Sequence, residues 1–123
     1  DDIIKAELLR DQIYSLATSF FEKYDALILP AAQVPPFDHE IEWVQNIDGT
    51  ELETYIDWMT VCCAITVTGF PAISVPAGFT ADGLPIGLQI VGKPRGDLEL
   101  LRLAGAFERE TQYYKIKPTV CST

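Results

Sequence analysis

The side chains that could do chemistry are few and scattered. His39, the single histidine, stands between Asp38 and Glu40 in a proline-rich stretch. A Ser-His-Asp constellation would need it beside an activated serine, and no nucleophile-elbow pattern surrounds any serine here. His39 therefore reads as an exposed loop residue. Cys62 and Cys63 are adjacent and Cys121 is remote, an odd set in no metal-ligand spacing. Neighbouring cysteines rarely bridge because the geometry is strained, so Cys62 and Cys63 read as small apolar residues buried in a helix. A rival reading makes one of them the nucleophile of a small complete enzyme. Glu51 and Glu53 look like the solvated start of a helix rather than an acid/base pair. Neither GxGxxG nor GxxxxGK occurs, so no phosphate-cradling loop is present. These residues assemble no complete catalytic apparatus, metal site or cofactor cradle.

The elements that would position any site follow from periodicity. From Ile3 to Tyr24 the residues Ile4, Leu8, Ile13, Leu16 and Phe20 form the stripe of an amphipathic helix with one buried face. Asp25-Ala-Leu-Ile-Leu-Pro30 suits a short strand buried on both sides. Residues 31–40, with Pro35-Pro36, form a loop, and Asp48-Gly49 a turn. Thr50 to about Thr66 predicts a second helix, N-capped by Thr50 and buried all round beyond Tyr55. Gly69 and Pro71 end it. Ala72-Ile-Ser-Val-Pro76 alternates as a strand, Ala81-Asp82-Gly83 is a hairpin loop, and Pro85 to Val91 returns. Asp97 is the expected N-cap of a last helix to about Thr111, with Leu100, Leu101, Ala104 and Phe107 inside.

Interleaved helices and strands make the class α/β with a partial mixed sheet of about three strands flanked by helices. Three strands leave two edges and an apolar face that something must cover, and the fold looks unfinished. The 123 residues form one unit with no internal boundary. The chain opens on Asp1-Asp2-Ile3 rather than methionine, as a piece of a longer protein would. Nine Lys and Arg against eighteen Asp and Glu give a net charge of −9. That field argues against nucleic acid and membrane surfaces as partners. The opening residues lack a basic-then-apolar secretion pattern, and the odd cysteine count suits a reducing, cytoplasmic compartment.

Five glycines and three prolines punctuate residues 69–92. The runs Thr68-Gly69-Phe70-Pro71-Ala72-Ile73-Ser74-Val75-Pro76-Ala77-Gly78 and Gly83-Leu84-Pro85-Ile86-Gly87-Leu88-Gln89-Ile90-Val91-Gly92 strongly resemble the C-terminal part of the amidase signature family. Tyr24 to Pro30 resembles the strand that precedes a variable loop in the same proteins. The resemblance implies hydrolysis of an amide C–N bond, or amide transfer, through an acyl-enzyme on a serine, with a second serine in a cis linkage and a lysine base. Those groups lie in the N-terminal half of the family, so no catalytic residue is carried over, and Ser74 is structural. The family lines its acyl pocket partly with the helix and loop before Gly-x-Pro. This makes Asp57, Thr60 and Thr66 the pocket candidates, after the Asp-x-x-Thr of the glutaminase branch. The gap to Gly-x-Pro is longer here and threonine replaces a common asparagine at Thr66, so Asp57 also reads as a solvent-facing helical residue. The resemblance further implies that Gly69, Gly78 and Gly87 admit main chain from outside this sequence.

The implied whole is a hydrolase of small amides whose C-terminal segment is inactive alone and is partnered by the N-terminal part of the same enzyme. The alternatives are the glutaminase-type subunit of an amidotransferase, or an interaction module that kept the scaffold and self-associates through its apolar sheet face.

Overall fold

The computed structural model describes residues 1–117, so Cys121 lies outside the described residues. Helix α1 spans Asp2–Phe20, strand β1 Leu27–Pro30, β2 Asn46–Ile47 and β3 Thr50–Glu51. A 3-10 turn at Asp57–Met59 leads into α2, Thr60–Thr68. Strands β4, Ala72–Phe79, and β5, Pro85–Val91, precede α3, Asp97–Thr111, and a 3-10 turn at Tyr113–Lys115.

The main sheet has the order β1-β5-β4. Its register sets Leu27 opposite Val91 on one side of β5 and Ala72 opposite Val91 on the other. Both pairings are antiparallel, so the mixed character expected from the sequence is not expressed among the described strands. The β4–β5 hairpin forms where expected. Gly83 takes φ +80° in its turn, and the Gly83 N–H donates to Thr80 O at 2.9 Å.

Consecutive residues of a strand face opposite sides. Ile90 therefore meets Val75 and the α3 residues Leu100 and Ala104 on one face. Val91 meets Phe21 and Phe70 on the other, beside Leu27 and Ile65. Tyr14 stands edge-on to Phe70 at 5.2 Å, and Arg10 Nε donates to Val67 O at 3.4 Å, which ties α1 to the end of α2.

Several expectations are corrected. Helix α1 stops at Phe20, and the buried residue is Phe21, just beyond the predicted stripe. Ile4, Leu8 and Leu16 stay exposed because nothing among the described residues lies over that face of the helix. β1 is half-covered, with Ile28 54% exposed. The helix expected from Thr50 does not form. Asp48 and Gly49 take φ 49° and 82°, and this two-residue turn pairs Asn46–Ile47 with Thr50–Glu51. α2 begins only at Thr60 and is not buried all round: Cys62 is exposed and Cys63 half-buried. Gly96, not Asp97, is the N-cap of α3, and Leu101 points outward.

The glycines also serve nearer neighbours than expected. Gly69 closes α2 at φ +70° with open space beside it, a left-handed end that disfavours any side chain. Gly78, at φ +134° in the bulge of β4, lies against the Tyr113 ring. Gly87 admits Ala31 and the Ser74 hydroxyl. All three are explained within this chain.

The accessible surface is 9265 Å². A compact monomer of 13.7 kDa exposes about 6,600 Å². The excess matches the many uncovered apolar side chains of α1 and α3.

Candidate pocket wall at the start of helix α2

The ladder between β1 and β5 runs to Pro30, opposite Leu88, and one further bond follows from Ala31 N–H to Gly87 O at 3.0 Å. Proline ends the strand because it has no N–H to continue it. The chain then turns across the start of β5, and Gln33 fastens it to α2. Gln33 Nε2 donates to Asp57 O at 3.2 Å, and its Oε1 accepts the Val61 N–H at 3.0 Å. Val61 carries one of the first N–H groups of α2, which have no partner within the helix. Gln33 is thus a cap supplied from 28 residues away.

Asp57 lies just ahead of this point. Its Oδ2 accepts the Thr54 N–H at 2.7 Å and the Glu53 N–H at 3.0 Å. The Thr54 N–H first, the Thr54 hydroxyl next and the Glu53 N–H hold its carboxyl below the usual carboxylate value, against an opposing effect of burial. Asp57 therefore neither faces solvent freely nor belongs to a regular helix; it folds the preceding loop back. The Thr60 hydroxyl donates to Asp57 O at 2.7 Å, so these two candidates sit together. Thr66 lies six residues further on, about 240° round the helix from Thr60, and its hydroxyl donates to Cys62 O at 3.0 Å. Thr66 is not part of the same cluster.

The end of β1 and the loop after it, residues 30–37, line a cleft of about 480 Å³ with Trp58, Ala77 and the start of β5. Its walls include Pro30, Pro36, Phe37, Trp58, Ile86 and Leu88. Phe37 and Tyr55 stand edge-on to Trp58 at 5.6 and 6.0 Å. The Trp58 indole N–H is buried without a partner among the described residues, as is the Gln89 side-chain N–H group. A buried donor left unpaired costs about 1–3 kcal/mol. A smaller cleft of about 160 Å³ lies between Gln89, Ser74, Ala31 and Cys62, whose thiol donates to Ala31 O at 3.2 Å. His39 is exposed on its loop, 3.3 Å from Asp38 and 3.0 Å from Glu40. No group of three or more potential metal ligands occurs among the described residues.

Sequence reasoning missed Gln33, Phe37 and Trp58. Gln33 carries no local signal, since its role depends on a loop folding back onto a distant helix. Trp58 was in reach, a large aromatic beside the Asp57 candidate.

A sheet with helices on both faces, and a capped helix start beside an apolar cleft, is an α/β arrangement. The family model for Amidase matches residues 2–101, and the chain belongs to that family. The A subunit of the glutamyl-tRNA(Gln) amidotransferase of Dehalococcoides mccartyi is 40% identical over 117 residues, covering 94% of this chain and 22% of the relative. Its counterpart in Thermodesulfovibrio yellowstonii, of the same name, is 39% identical over 115 residues, with 93% and 22% covered. Among solved structures, a bacterial aryl acylamidase of the amidase signature family superimposes with TM-score 0.73 at 32% identity, covering 90% of this chain and 24% of that one. The glutamyl-tRNA(Gln) amidotransferase A subunit from Thermotoga maritima gives 0.71 at 30% identity, covering 87% and 22%. This chain spans between a fifth and a quarter of the length of these proteins. No helix among the described residues is long and apolar enough to cross a membrane.

Proposed function

We propose that residues 1–123 form the C-terminal part of an amidase-type hydrolase, one segment without an internal boundary. The segment supplies scaffold and one wall of the substrate pocket for hydrolysis of an amide C–N bond through a serine acyl-enzyme, and it turns over nothing alone. The observation that carries this reading is the surface in excess of a compact monomer, about 2,700 Å² above the expected value for 13.7 kDa. Matched by an equal area on a partner, it would bury about 5,400 Å² in all, at the large end of obligate interfaces. The partner that fits it is the N-terminal part of the same enzyme, which in this family holds the two serines and the lysine. Asp57 and Thr60 then stand at the pocket edge, with Thr66 further along α2. The substrate is a small amide and the compartment is the cytoplasm; nucleic acid and membrane play no direct part.

A second reading, the glutaminase-type subunit of an amidotransferase, is favoured by the 40% identity to the Dehalococcoides mccartyi relative. Two measurements test the first. The chain alone should release no aniline from acetanilide. Grafted in place of the matching segment of the bacterial aryl acylamidase, it should restore turnover that the truncated acylamidase lacks. Turnover by the chain alone that Ser74→Ala abolishes would overturn the proposal. A folded but inert graft would favour the interaction module instead.

A further inference from the structure

We infer that Gln33 is a positioning residue of the pocket wall: its amide stands in for the first main-chain bond of α2 and so sets how Trp58 is held at the cleft. The inference rests on the amidase reading above, which makes the cleft a substrate pocket, and names the residue that shapes it. In a regular helix the Val61 N–H would donate to Asp57 O, four residues back. Here it donates to Gln33 Oε1 at 3.0 Å, and Gln33 Nε2 donates to Asp57 O at 3.2 Å. The amide is inserted between the two partners of one helical bond, which breaks or kinks a helix at that point. The backbone agrees. Ile56 (φ −69°, ψ −30°) and Thr60 (φ −53°, ψ −36°) are helical, while Met59 departs at φ −103° and ψ 9°. The break falls beside Trp58. A neutral amide carries a donor and an acceptor side by side, so it serves both groups at once.

The same amide is what ties down the opposite wall. Among the described residues, every other hydrogen bond of residues 32–43 stays within 38–41. Gln33 therefore joins the loop that carries Pro35, Pro36 and Phe37 to the helix start that carries Trp58, the two sides of one cleft. Phe37 stands edge-on to Trp58 at 5.6 Å across that join. Without the amide, the Val61 N–H is free to close onto Asp57 O. That closure would carry α2 back through Met59 and Trp58, re-aim the indole, and leave the loop without its tether.

The test uses the full chain carrying Trp43→Phe, which leaves Trp58 as its single indole. The near-ultraviolet circular dichroism of Trp58 then reports its packing with Phe37 and Tyr55. Gln33→Leu, similar in size with neither donor nor acceptor, should lose most of that band while the far-ultraviolet helix signal is retained. Gln33→Glu keeps the acceptor for Val61 but donates to Asp57 O only when protonated. Its band should match the parent at about pH 4 and fade reversibly towards about pH 7, through the carboxylate range. Asp57, the charged group next to that position, is held below the usual carboxylate value and stays ionised over this interval. The parent titrated alongside subtracts every native group. An undiminished band in Gln33→Leu, or a Gln33→Glu band that follows the parent at every pH, would overturn the inference. If Gln33→Leu loses its helix signal as a whole, the glutamate variant decides alone: recovery at about pH 4 upholds the assignment, and no recovery there overturns it. Each of these leaves the amidase reading standing, since that reading is decided by turnover of the graft. An inert graft beside a pH-dependent band would count against that reading alone.

Discussion

Replacing Gly87 by alanine tests how β1 and the pocket loop are seated. A Cβ built there would lie 3.1 Å from the Ala31 Cβ, 3.2 Å from the Ser74 hydroxyl and 3.5 Å from Val75 O. The serine hydroxyl can rotate away, but Ala31 cannot, because its N–H is bonded to Gly87 O at 3.0 Å. Overpacking of this kind costs about 1–3 kcal/mol. Alanine returns about 0.4–1 kcal/mol by restricting the unfolded chain, which leaves a net loss of about 1 kcal/mol. Urea unfolding of such a chain, with a slope of about 2 kcal/mol/M, should show a midpoint lowered by about 0.5 M. The sharper measurement is a double-mutant cycle with Ala31→Gly, which removes the opposing methyl. Alone, Ala31→Gly should also destabilise; together, the pair should recover about 1 kcal/mol relative to the sum. A raised midpoint for Gly87→Ala, or a coupling near zero, would refute the claim that Ala31 is what Gly87 accommodates.

The same unfolding assay checks the core. Ile90→Ala should cost about 2–5 kcal/mol, since Ile90 is 1% exposed between Val75, Leu100 and Ala104. Ile28→Ala, at a site 54% exposed on the same sheet, should cost far less, and equal losses would place α3 elsewhere. Asp57→Asn should flatten the acid limb of stability. The folded-state carboxyl is held low by Thr54 and Glu53, so its contribution is present above the unfolded carboxylate range and is lost as pH falls through the lower folded value. Unfolding midpoints measured from pH 7 to below about pH 4 should therefore fall more steeply in the parent chain than in the variant. Parallel curves would remove the assigned role.

The hairpin of β4 and β5 was legible because alternation, turn residues and flanking prolines all agree there. Residues 50–59 were misread for a local reason. Thr50 followed by Glu51 and Glu53 resembles a helix start, but Asp48-Gly49 fits a turn whose two central residues both have positive φ, and that turn decides the pairing. Along α1 the spacing of Ile4, Leu8 and Leu16 predicts the helix but not its burial, since no residue of α1 is buried. Periodicity cannot say what covers a face, and here no described residue does. Of the site, Asp57 and Thr60 were found through resemblance, while the long-range bonds of Gln33 have no counterpart in any short window of sequence.

The large uncovered surface has a thermodynamic consequence. Unfolding heat capacity grows with the apolar area newly wetted, and a domain of this length ordinarily shows about 1.5–1.8 kcal/mol/K. This chain keeps much of that area wet while folded, so its increment falls below that range. Its stability then varies only gently with temperature, and its melting is broad and absorbs little heat. Covering the wet faces with a cognate partner would sharpen the transition and steepen the curve.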